Sequence, residues 1–249
     1  MVKACLLLVI LSALLNIQGC EKNIGENVAV TDETLKDANK PPDYEFFSNQ
    51  DIYYQMGLLY GLRESAKTSA ELVDFYSKIL NSKNGSLRIK EITTINLGML
   101  GRQAHATLPI LADIIESSAI QGHLSEYCIY AADAIGKIGP PVDNSVIQAL
   151  VNGADHEQDS SLRTRCTYAC INALSNIGED GREGLFVLMC SKNEDVWPRA
   201  LFELCRSGML FDEISGRVDR LVEPRKSNCI KFLKSYKSGK WGKLGEGSE

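Results

Sequence analysis

One spacing returns four times in this chain, and each copy ends on a glycine: Gly101, Gly139, Gly178 and Gly208. Counting back from each glycine, position −12 holds Ile89, Tyr127, Cys166 and Val196, and position −8 holds Thr93, Ala131, Cys170 and Ala200. Position −4 holds Leu97, Ile135, Leu174 and Leu204, position −3 holds Gly98, Gly136, Ser175 and Cys205, and position −1 holds Leu100, Ile138, Ile177 and Ser207. The glycines lie 38, 39 and 30 residues apart, which is the period of stacked helix pairs. Small and apolar residues recurring at helical spacing put one face of each copy against its neighbours. The glycine ends the first helix, because it can take a positive φ and let the last carbonyls find partners.

A second apolar helix follows each glycine. It holds Leu108, Pro109, Ile110, Leu111, Ile114 and Ile115 in copy one, and Val146, Ile147, Leu150 and Val151 in copy two. Copy three has Leu185, Phe186, Leu188 and Met189, and copy four Ile214, Val218 and Leu221. Pro140-Pro141 blocks continuation of the helix before it. Asn193, Glu194 and Asp195 offer N-cap candidates and first-turn acids ahead of Pro198. Upstream, aligning Gly61 with Gly98 gives a step of 37 residues, which predicts a divergent first copy that caps the stack.

Ile-Lys-x-x-Thr-x-x-x-Leu-Gly-x-Leu-Gly at 89–101, Ala-x-x-Ala-Ile-Gly-Lys-Ile-Gly-Pro at 131–140 and Thr-Leu-Pro-Ile-Leu at 107–111 resemble the short prokaryotic kind of HEAT repeat. The resemblance covers roughly residues 50–222. It implies an all-α fold, an αα solenoid of about four to five helix pairs, that binds or scaffolds other proteins. The pattern's basic residue after position −12 survives only as Lys90, with Cys128, Thr167 and Trp197 elsewhere, so no regular basic ladder is expected. Some HEAT-like proteins resemble lyases that attach a bilin to cysteine, so the alternative is an enzyme or chromophore-binding protein using a loop or cysteine site.

The first residues read as a targeting segment, 1–19, with Lys3 ahead of an apolar run from Ala4 to Leu15. Twelve such residues are too few to span a bilayer as a helix, which takes ~20. Ile17-Gln18-Gly19-Cys20 resembles the lipobox of bacterial lipoproteins, with Gln18 as a departure from it. The resemblance implies cleavage after Gly19, and lipidation of Cys20 at its thiol and its new amine. Acyl chains in that number hold a soluble domain on a membrane. Glu21, rather than Asp, follows the cysteine and points to the outer membrane of a bacterial envelope. Residues 21–44 are polar, Pro-punctuated and without amphipathic period, and read as a tether of roughly 27 Å reach within a lipidated, flexible segment placed at 20–49.

Composition narrows the functional classes. A net charge of −5 provides no global footprint for nucleic acid. No phosphate-cradling glycine loop, Gly-x-Ser-x-Gly or His-Glu-x-x-His occurs, so nothing marks a catalytic centre and no cofactor is expected. His105 and His123 fall in linkers as solvated side chains, and the acidic loop Asp155-His156-Glu157-Gln158-Asp159 lacks the glycine turn of a calcium site. Cys166 and Cys170 share a helix face, but two thiols make a poor zinc site. Cys128, Cys166, Cys170, Cys190, Cys205 and Cys229 are either core residues or bridge partners. The last segment, 223–249, is the one charge anomaly: Arg225 to Lys243 holds seven basic residues and no acid. It reads as a terminal helix that caps the stack, with an apolar stripe at Ile230 and Leu233 to which Phe232 and Tyr236 are further candidates. Lys231, Lys234, Lys237 and Lys240 are the candidates for contact with an anionic surface.

Overall fold

The computed structural model describes residues 41–65, 70–121, 126–155, 161–207 and 211–239. All fall within one compact unit, Ala38–Glu249. Every regular element among them is helical: a short α1 (Tyr44–Ser48), then α2 (Ile52–Ser65) with α3 (Ala70–Asn81), and α4 (Leu87–Leu100) with α5 (Leu108–Gln121). Next come α6 (Glu126–Ile138) with α7 (Asn144–Ala154), α8 (Ser161–Ile177) with α9 (Glu179–Met189), α10 (Trp197–Arg206) with α11 (Phe211–Val218), and α12 (Arg225–Lys237). The result is an αα solenoid-like stack of five helix pairs closed by a last helix.

The first helices α4, α6, α8 and α10 pack each on the next, and α5, α7 and α9 do the same in a second layer. The core lies between the layers. All four residues at position −8 and all four at −4 are buried, as the spacing predicts. At −12, Ile89, Cys166 and Val196 are buried and Tyr127 is half-buried.

Gly101, Gly139 and Gly178 carry φ of 58°, 74° and 79°, so the expected helix-ending conformation is present in all three described copies. Gly208 lies outside the described residues. After Gly101 the chain first makes a 3₁₀ run, Gly101–Thr107, before α5 begins at Leu108.

The start of the unit differs from the expectation of a flexible segment running to residue 49. Residues 44–48 are helical because the Asp43 side chain accepts from the backbone N–H of Glu45 (2.9 Å) and Phe46 (3.3 Å), which satisfies two orphan donors. Phe47 is thereby buried edge-on against Phe75 of α3, with ring centroids 5.1 Å apart. Two other boundaries also move. The N-cap of α10 is Val196, and Asn193 instead closes a turn by accepting from Asp195 N at 2.9 Å. Leu221 of copy four lies beyond the end of α11 and is half-buried.

Candidate functional site

Helix packing decides which first-helix positions reach solvent, and the register is the same at the three junctions between copies one to four: position −3 of one copy meets position −5 of the next. A Cβ built on Gly98 would lie 3.0 Å from Ala134 Cα, and one built on Gly136 would lie 3.0 Å from Ala173 Cα. Glycine facing alanine lets α4, α6 and α8 approach closely. At the junction of copies three and four the same pair is Ser175 and Glu203, and Ser175 Oγ donates to Glu203 Oε2 at 3.2 Å. Upstream, where the divergent first copy meets copy one, position −5 is Asn96, whose Nδ2 donates to Leu59 O (3.0 Å) and Tyr76 Oη (3.2 Å). Burial pushes the Tyr76 hydroxyl up to about 12.

Glu203 was not marked by the sequence. It is fully buried, yet Arg199 Nη2 lies 3.2 Å from its Oε1 and Arg206 Nε donates to its Oε2 at 2.7 Å. A buried carboxylate needs such partners, because desolvation alone disfavours its charge. Arg199 also sits over the rings of Tyr168 (5.4 Å) and Phe202 (5.5 Å), within cation–π reach, and donates to Asn172 at 3.2 Å.

With −12, −8, −5 and −4 facing the core or a neighbouring helix, the outward row of the first helices is position −2. Met99, Lys137, Asn176 and Arg206 are all exposed there. Beside it runs position −6, with Ile95, Asp133, Asn172 and Phe202 half-buried or exposed. The row changes from apolar to cationic to amide to cationic along the stack, while the buried position −4 stays aliphatic in all four copies.

Further polar contacts join successive copies. His105 in the linker of copy one is exposed, as a solvated side chain would be, and its Nε2 is 2.5 Å from Pro141 O in the linker of copy two. Val142 N donates to Asp180 Oδ2 at 3.2 Å, and Arg217 of α11 pairs with Glu183 of α9 at 2.5 Å.

The terminal helix α12 packs on the stack through Phe232 and Leu233 of the expected stripe, with Cys229 added and Ile230 turned partly outward. Cys229, Phe232 and Leu233 are buried and Ile230 is only half-buried, because α12 meets α10 edge-on through Trp197–Phe232 (6.3 Å) and Phe202–Tyr236 (6.0 Å). The half-buried Arg225 covers Trp197 at 4.7 Å and pairs with Glu194 at 3.4 Å. Lys231 and Lys234 point outward, and Lys237 lies over the Phe211 ring at 5.2 Å. Exchanging both Lys231 and Lys234 for Gln should leave urea unfolding within about 0.5 kcal/mol of wild type per site, as surface changes do. A larger loss would mean that the outer face of α12 is part of the packing.

Of the remaining sequence candidates, Asp155 accepts from Ser191 Oγ and so is engaged in the fold. Cys128, Cys166, Cys170 and Cys229 are buried, Cys205 is half-buried and Cys190 is exposed; none carries a disulfide. Among the described residues no group of three His, Cys, Asp or Glu is arranged to hold a metal ion, and no helix is long and apolar enough to cross a membrane. Gly19, Cys20, Lys240, His123 and 156–159 lie outside the described residues. No family model matches the chain, and no curated protein or solved structure matches it.

Proposed function

We propose that this chain is a non-catalytic binding or scaffolding module of the HEAT-like kind, held at a bacterial cell envelope by lipid on Cys20. The observation that carries the binding role is the outward row Met99, Lys137, Asn176 and Arg206, flanked by Ile95, Asp133, Asn172 and Phe202. One register brings these eight side chains to a continuous strip across four first helices, and each copy contributes different chemistry. A rigid strip of this kind suits an extended protein partner, because little ordering is required of the solenoid side. The anchor rests on the resemblance of Ile17-Gln18-Gly19-Cys20 to a lipobox, with the outer membrane indicated by Glu21.

Both parts are testable in cells. A photo-crosslinking residue at Lys137 or Asn176 should trap one discrete species, whereas the same residue at exposed Val187, on the second-helix layer, should not. Equal labelling at all three sites, or none, would remove the strip as the binding surface. For the anchor, Cys20→Ser should move the protein from the detergent phase to the soluble pool. Identical fractionation of variant and wild type would mean that the leader is a plain export signal.

A further inference from the structure

At the junction of copies two and three, three thiols converge. Cys128 on α6 stands at position −11, and Cys166 and Cys170 on α8 stand at −12 and −8 of the next copy. α6 packs along α8 in the register that sets Gly136 against Ala173, which brings Cys128, two turns earlier, beside Cys166 and Cys170, and the three thiols are close enough to perturb one another's acidity. All three are fully buried, and α7 closes the cluster from the second layer: a Cβ added at Gly153 would lie 3.0 Å from Cys170 Sγ. The equivalent positions at the first junction are Lys90, Tyr127 and Ala131, and at the third they are Thr167, Val196 and Ala200. Simple filling of the core therefore does not require sulfur at this register, and only one junction gathers it.

We propose that this cluster is an oxidisable cross-link site, in which Cys128 forms a disulfide with Cys170 or Cys166 and so ties copy two to copy three. Cys128 is the obligate member, since it alone comes from α6. Cys166 and Cys170 are successive turns of one helix, with Cβ atoms projecting in parallel, which disfavours a bridge between them. The oxidant is a disulfide donor, either a low-molecular-weight disulfide or an oxidised dithiol protein. One cysteine thiolate attacks the donor and expels one donor thiol. The second cysteine thiolate then displaces the other donor sulfur from that mixed disulfide. Two thiols become one S–S bond, and their two electrons and two protons end on the two donor thiols. In the folded, reduced protein the contact with its neighbours and burial hold the Cys128 and Cys170 thiols well above their ordinary acidity range. With no thiolate and no access, the exchange belongs to folding or to transient separation of α6 from α8.

The test uses the full chain, unfolded and refolded in a buffer of reduced and oxidised glutathione, then acid-quenched, alkylated and digested for mass spectrometry. The expected product has lost two hydrogens and contains a peptide pair joining Cys128 to the 166–170 segment. It also melts at a higher temperature than the same sample after reduction. Cys166→Ala should still form Cys128–Cys170, whereas Cys128→Ala should lose the linked species entirely and melt alike in both buffers. If Cys128→Ala does not fold, fragmentation of the wild-type peptide pair decides the partner. Full alkylation of every cysteine after oxidation, a bridge that omits Cys128, or a retained thiophilic metal in the native intact mass would each overturn the proposal.

Discussion

Replacing Arg199 and Arg206 together with methionine should destabilise the protein by about 3–5 kcal/mol, which is the cost of leaving a buried carboxylate without its partners. Glu203 has a side-chain exposure of 1 %, whereas the two arginines retain 37 % and 56 %. The penalty is therefore asymmetric: stranded arginines keep water, and a stranded carboxylate does not. Ser175 Oγ alone is a weak substitute at 3.2 Å. Adding Glu203→Ala to the double variant should recover most of the loss, because it restores the alanine that position −5 carries as Ala134 and Ala173. Replacing a buried ionic group by an apolar one is often neutral. Urea unfolding of wild type, double and triple variants measures both steps. A double variant within 1 kcal/mol of wild type would show that water reaches the carboxylate and that the cluster does not hold this junction.

Leu174→Ala should cost roughly 2–5 kcal/mol, as large-to-small changes do in a close-packed interior. Leu174 stands at position −4 of copy three and is fully buried. Its surroundings cannot collapse easily onto the space. Its own backbone carbonyl faces Gly181, where any Cβ would overlap it, and its Cδ atoms face Gly184. Gly181 of α9 thus presses against the Leu174 backbone and Gly184 against its side chain, and neither can fill the cavity left by its loss. Gln103→Ala, an exposed change in the linker of copy one, should stay within about 0.5 kcal/mol. Equal effects at the two sites would contradict the register in which −4 faces the core.

What was legible from sequence is whatever depends on local period and backbone freedom. Buried −8 and −4, the positive φ at Gly101, Gly139 and Gly178, and paired helices stacking in two layers all follow from helical spacing and from the one residue that tolerates φ above zero. The remainder depends on which side chain of one copy meets which side chain of the next, and no local pattern encodes that. The close approach at Gly98 and Gly136 was visible only as smallness; its partners Ala134 and Ala173 emerge once the helices are docked. Glu203, read alone, is an ordinary helix-surface residue, and it becomes the buried centre of an ion cluster because its position is the one that each next copy turns inward. On α12 Phe232 and Leu233 of the expected stripe are buried and Cys229 takes the place of Ile230, because Trp197 and Phe202 determine which face finds aromatic partners. Cys128 met Cys166 and Cys170 for the same reason. Period and glycine are properties of the chain itself, whereas register between copies is a property of packing, so only the tertiary structure could decide it.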